Sequence, residues 1–225
     1  MATLVPTDKP GEFAIPALGT KIALKDWEEK DIYDTIAIGG GAQLAGVVDL
    51  LEFFTNVQGK RRVDTNLRRN AATPARHEII VLKPGIFCKP KWGTATAELA
   101  DQMAIYEEGV YELVKNEKPQ VTETHLWRLA TGYGFVGYGI DFAAPGVVVA
   151  PGSLGVASPA AIPPLLVPFT IGPDDDFSVT VQYQASLAGV AFGAVAAPAF
   201  VSHTLAQTTA VMAVLHGFVK SPGTK

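Results

Sequence analysis

The chain has 225 residues, enough for one large domain or two small ones, and 48% hydrophobic against 18% charged residues exclude a disordered chain. Eighteen Lys and Arg against 22 Asp and Glu leave a net charge of −4, which argues against a dedicated DNA- or RNA-binding domain. A single cysteine, Cys88, excludes an internal disulfide framework and any multi-cysteine zinc site.

Residues 1–30 read as an extended N-terminal arm, punctuated by Pro6, Pro10 and Pro16 and lacking periodicity. The first residues carry Asp8, Lys9 and Glu12 rather than an apolar run, so they do not read as a secretory signal. Residues 31–225 read as a single domain built from short apolar runs separated by turn residues. Thr35–Ile38 is a candidate strand closed by Gly39-Gly40-Gly41, and Val47–Phe54 is a stronger one. Glu78–Leu82 reads as a buried strand that stops at Pro84-Gly85. Ala95–Glu108 breaks the pattern, because Leu99, Met103 and Tyr106 recur at helical spacing between a Thr94 N-cap and Gly109 as the stop. Val110–Val114, Leu126–Ala130 and Val147–Ala150 are further candidate strands, with Ser153–Pro164 as a long loop. Leu165–Ile171 contains Pro168, which points to an edge or a bulge. Phe177, Val179, Val181 and Tyr183 alternate with polar residues, as a half-buried strand requires. Ala185–Val201, built mainly of Ala and Gly and broken by Pro198, is too weakly apolar for a spanning helix and reads as a packed or partner-covered segment. Ala210–Val219 gives the last strand. One helix among roughly eight or nine strands excludes a parallel α/β fold. The fold class is therefore all-β, a jelly-roll sandwich with one short helix, and the strand number favours a single roll over a double one.

The charge is unevenly placed. From Leu129 to Val219, 91 residues contain no Lys or Arg and only four acids, Asp141, Asp174, Asp175 and Asp176. A free monomer normally intersperses both signs over its surface, so this half reads as covered by other subunits, the alternative being a core-rich half with Ser, Thr and Gln on its outside. Lys60, Arg61, Arg62, Arg68, Arg69 and Arg76 fall within seventeen residues, opposed by Asp64 alone. They form a candidate patch facing phosphate groups of lipid or nucleic acid; read structurally, they are a solvated loop or half of an interface whose other half is acidic. No aromatic residue lies between Lys60 and Arg76, so base stacking is not indicated.

No catalytic motif is strong. The Gly39-Gly40-Gly41 cluster lacks the third small residue of a dinucleotide fingerprint, since that place is taken by Leu44, and it lacks the Gly-Lys of a phosphate loop. His77, His125, His203 and His216 are dispersed without metal-ligand spacing. Asp174-Asp175-Asp176 lacks the ligand spacing of a calcium loop and reads as an exposed turn. Cys88 has Lys89 and Lys91 nearby but no assignable base, so it reads as structural. No catalytic residue, metal ligand or cofactor is assigned.

Phe53-Phe54-Thr55-Asn56, Gly59-Lys60, Asp64-Thr65-Asn66-Leu67 and Glu78-Ile79-Ile80-Val81 form an ordered series. Leu129-Ala130-Thr131-Gly132-Tyr133-Gly134, Val167-Pro168-Phe169-Thr170-Ile171, Asp176-Phe177-Ser178-Val179 and Val214-Leu215-His216-Gly217-Phe218 continue it. The series resembles the jelly-roll capsid proteins of tailless icosahedral bacteriophages with an internal membrane. The resemblance implies a viral structural protein, not an enzyme: a capsid shell subunit forming trimers or pseudo-hexameric capsomers with itself. Its implied partners are other capsid proteins and either internal membrane lipid or the packaged genome, in a virion assembled in the host cytoplasm. The alternatives are a carbohydrate-binding jelly-roll module, spike or lectin, with Trp27, Trp92 and Trp127 as a sugar platform, and, behind it, a metal-dependent β-barrel enzyme using the histidines.

Overall fold

The computed structural model describes residues 4–23, 25–70, 77–89, 95–130, 136–140, 149–153, 165, 167–184, 186–187, 200–206 and 208–220. Fifteen strands and two α-helices are present among them, numbered β1–β15 and α1–α2 in chain order. Eight strands build a sandwich: β4 (Trp27–Ile38), β5 (Leu50–Phe53), β6 (Glu78–Lys89), β7 (Gly109–Lys115), β8 (Lys118–His125), β11 (Phe169–Ile171), β12 (Phe177–Tyr183) and β15 (Thr209–Lys220). One sheet has the order β11-β6-β15-β4 and the other β5-β12-β7-β8, with every pairing antiparallel. Within these eight, the first strand pairs with the last, the second with the seventh, the third with the sixth and the fourth with the fifth. That is one long hairpin wound on itself, a single jelly roll.

The inner faces of the two sheets make the main core, in which Phe53, Phe54, Ile86, Tyr111, Phe177 and Leu215 are all but fully buried. In β12 the alternation is as the sequence requires: Phe177, Val179, Val181 and Tyr183 point inward. Phe54 and Phe177 meet at 5.2 Å between ring centroids. Helix α1 (Ala95–Glu108) lies in the β6–β7 connection over the residues expected for it, and β9 (Val136–Ile140) lies beside it, paired with β10 (Val149–Ser153).

Residues 5–23, expected as an extended arm, instead form a three-stranded antiparallel meander of β1 (Val5–Pro6), β2 (Glu12–Ile15) and β3 (Thr20–Ala23). Ile15 and Ile22 pack on Trp27, Ile80 and Phe218, a second apolar cluster on the outer face of the β6–β15–β4 sheet. β15 is consequently buried on both faces toward its C-terminal end, where Phe218 and Val219 are both covered. Three other expectations change. Leu126–Ala130 is the short helix α2 rather than a strand. β6 does not stop at Pro84-Gly85 but runs on to Lys89. The Val47–Phe54 strand begins only at Leu50, after an irregular turn over Leu44–Val48. The Thr94 cap, Trp92, Arg76 and almost all of Ser153–Pro164 and Ala185–Val201 lie outside the described residues.

Register places the connections at two ends of the roll. Ile38 pairs with Thr209 and Lys89 with Ala210, while Gly109 pairs with Tyr183 and Val110 with His125. Ile38, Lys89, Gly109, His125, Tyr183 and Thr209 therefore lie at one end of the roll, and Phe53, Glu78, Lys115, Lys118, Ile171 and Phe177 at the other.

Candidate functional site

The basic cluster lies in the long connection between β5 and β6, and that connection is built around one buried carboxylate. Asp34, on β4, is fully buried. It accepts hydrogen bonds from the Phe54 N–H at 2.8 Å and from Lys60 Nζ at 2.7 and 2.8 Å to its two oxygens. Phe54 adopts a left-handed backbone (φ 69°) and Gly59 another (φ 79°), so the chain turns sharply enough to bring Lys60 back onto Asp34. Farther along, Asn66 accepts from the Tyr33 N–H through Oδ1 at 3.0 Å and donates through Nδ2 to the Asp31 carbonyl at 2.6 Å. The Thr65 hydroxyl donates to the Tyr33 carbonyl at 3.0 Å. Thr65 and Asn66 thereby occupy the free edge of β4, with Thr65 in a β-bridge to Asp34.

Phe54, Gly59, Lys60, Thr65 and Asn66 are thus the residues that fix the loop. It also divides the basic cluster. Lys60 is consumed by Asp34, and Arg61 pairs with Asp64 at 2.9 Å on the surface. Arg62, Arg68 and Arg69 are exposed, as is Val63 between them in sequence. Arg76 lies outside the described residues.

A second polar cluster sits at the opposite end of the roll. Asp101 and Glu108, both on α1, are buried. Glu108 accepts from the Ser202 hydroxyl at 2.8 Å and from the His203 N–H at 2.7 Å. Asp101 contacts His203 Nε2 at 2.8 Å and accepts from the Ala206 N–H at 3.0 Å. The Ser202 oxygen in turn accepts from the Ala45 N–H at 2.7 Å. Serine, histidine and aspartate are thus assembled, but the hydroxyl donates to Glu108 and not to the imidazole. The nucleophile–base contact that hydrolysis needs is not made. The arrangement clasps residues 202–206 to α1. Sequence reasoning missed it; of the four acids in Ala95–Glu108, Asp101 and Glu108 lie seven residues apart, two helical turns, and so share one face, which was the available signal.

The other candidates fall into place singly. Two N–H groups of the glycine cluster are spent within the fold: Gly41 donates to the Leu205 carbonyl at 2.7 Å and Gly40 to the Thr208 hydroxyl at 3.3 Å. The Cys88 thiol is buried and pushed up to about 12 by desolvation, so Lys89 does not activate it. His216 Nδ1 lies 2.7 Å from Asp31 on the outer face, far in the fold from His203, and His125 closes β8. Among the described residues no group of three or more His, Cys, Asp or Glu is gathered to hold a metal ion. Trp27 is covered by the N-terminal meander and by Lys220, whose Nζ lies 5.6 Å from its ring, so it offers no platform to a sugar. Among the described residues no helix is long and apolar enough to cross a membrane.

At the basic end, the acidic turn is also structured. Asp175 accepts from Lys115 Nζ at 2.8 Å, from the Gly172 N–H at 2.6 Å and from Asn116 Nδ2 at 2.6 Å. These donors hold its pKa down to about 2. Asp174 and Asp176 remain exposed. The chain matches no protein-family model, no curated protein and no solved structure.

Proposed function

We propose that the chain is a viral structural protein, a single jelly-roll capsid shell subunit whose activity is self-assembly into an icosahedral virion. The observation that carries the reading is the uneven placement of charge along the chain. Residues 129–219 contain no Lys or Arg and only four acids, Asp141, Asp174, Asp175 and Asp176, whereas Lys60, Arg61, Arg62, Arg68, Arg69 and Arg76 fall within seventeen residues. A free monomer normally intersperses both signs over its surface, whereas a subunit surrounded by copies of itself need not. The polar clusters at both ends support the reading, because they fix loops to strands and so supply rigid contact surfaces. The resemblance of the ordered series adds the family expectation: capsomers of this chain with other capsid proteins, over lipid or genome, assembled in the host cytoplasm.

The test is the mass distribution of the purified chain, by light scattering and negative-stain microscopy across concentration and salt. Discrete trimers, hexamers or closed shells are expected. A monomer at every concentration overturns the proposal.

A further inference from the structure

We propose that neighbouring copies of this chain meet side to side, the arginine loop of one (Arg62, Arg68, Arg69) docking on the acidic turn of the next (Asp174, Asp176). The inference rests on the self-assembly reading above and names the contact that makes it.

The two surfaces are anchored at opposite edges of one sheet, and the acidic turn crosses from there to β12, the neighbour of β5, where Phe177 meets Phe54. β4 and β11 are the two outer strands of one sheet. The arginine loop is fastened to the free edge of β4 through Thr65 and Asn66. The acidic turn, residues 172–176, continues directly from the end of β11 at the other edge. It is tied there by Lys115 Nζ, which donates to the Thr170 carbonyl at 2.5 Å and pairs with Asp175 at 2.8 Å. A patch on one flank that complements a patch on the other makes a heterologous contact, which closes into a ring when the rotation allows.

Charge on each flank survives internal pairing. In the loop, Lys60 belongs to Asp34 and Arg61 to Asp64, which leaves Arg62, Arg68 and Arg69 exposed. In the turn, Asp175 belongs to Lys115, which leaves Asp174 and Asp176, with exposed Glu117 beside Asn116. Exposed Lys118 offsets one of these acids, and the turn stays net negative. Both surfaces are also held before they meet. Val57 N–H donates to Asn70 Oδ1 at 2.9 Å across the base of the loop, and Asn116 exchanges two hydrogen bonds with Asp176, each 2.9 Å. Little ordering entropy is then lost on contact. Simple strand addition is disfavoured at the flanks: β4 is capped by Thr65 and Asn66, and β11 is three residues long after Pro168.

Charge reversal tests the pairing. Variant one carries Arg62→Glu, Arg68→Glu and Arg69→Glu; variant two carries Asp174→Lys and Asp176→Lys; a third carries all five. All five side chains are exposed and outside the Asp34 and Asp175 locks, and circular dichroism with thermal unfolding checks that each variant folds. By sedimentation velocity, variants one and two are each expected to associate at least about tenfold more weakly than the parent chain. Mixing them, or combining them in the third variant, is expected to restore association. Raising salt is expected to weaken the parent and the third variant alike. A parent chain that assembles normally while the reversals change nothing overturns this contact and leaves the capsid reading standing. Losses that neither mixing nor combination restores overturn it as well. A parent that is monomeric throughout overturns both.

Discussion

Asp34 and Lys60 are the residue pair on which the long loop depends, and their energetics are lopsided. The carboxylate has left water entirely, and its two oxygens are satisfied by one ammonium and one backbone N–H. Replacing Lys60 with Met keeps the aliphatic stem but strands a buried charge. A loss of about 3–5 kcal/mol in unfolding free energy is expected by chemical denaturation. Conversely, Arg61→Ala removes only an exposed pair and is expected to leave the denaturation midpoint unchanged. Asp175 supplies a pH signature. Its pKa falls from an ordinary 3.8 to about 2 on folding, chiefly through Lys115. The folded state therefore gains its stabilisation fully above about pH 4 and loses it as pH drops through about 2. Comparing denaturation midpoints of the parent and Asp175→Asn from pH 6 to 2 should show a parental advantage that closes over that window. Its size is below about 1 kcal/mol, since the pair is partly in water. None of these roles could be read from the chain alone. Asp34 stands just before the candidate strand Thr35–Ile38, with nothing local to mark it as buried, and its partner lies 26 positions away.

At the scale of elements, legibility followed periodicity and failed where tertiary contact decides. The α1 and β12 boundaries were legible because their repeats of 3.6 and 2 run for several turns or pleats. Leu126–Ala130 spans five residues, too few to separate the two periods, and it folds as a helix. β8 went unseen because most of its residues are exposed on both faces; backbone pairing to β7, not burial, makes it a strand. The N-terminal meander was read as an arm because its strands are two to four residues long, and the outer-face cluster that holds it draws on Ile80 and Phe218 from far along the chain. β6 passes Pro84 because the ladder with β15 is already interrupted nearby, at the register shift between His216 and Gly217. That shift demands glycine: a Cβ on Gly217 would collide with the Ile80 carbonyl oxygen. Gly217→Ala is expected to lower stability by more than about 2 kcal/mol in thermal unfolding. Gly39→Ala, where a Cβ meets nothing within 4 Å, is the matched control and is expected to be neutral.

For the molecule as a whole, the jelly roll was legible from strand number and the predominance of strand over helix, whereas the end at which each connection emerges was not. That depends on register, which is fixed by pairing between distant strands. One further property follows from the place of β15. It is the last strand in sequence, yet it is interior to its sheet, paired along its whole length with β4 on one side and across a bulge with β6 on the other. During synthesis β4 and β6 emerge early and have no common neighbour until Lys220 has been made. Contacts of such long separation close slowly. The sheet that holds β4 and β6 therefore closes only after the polypeptide has passed that point.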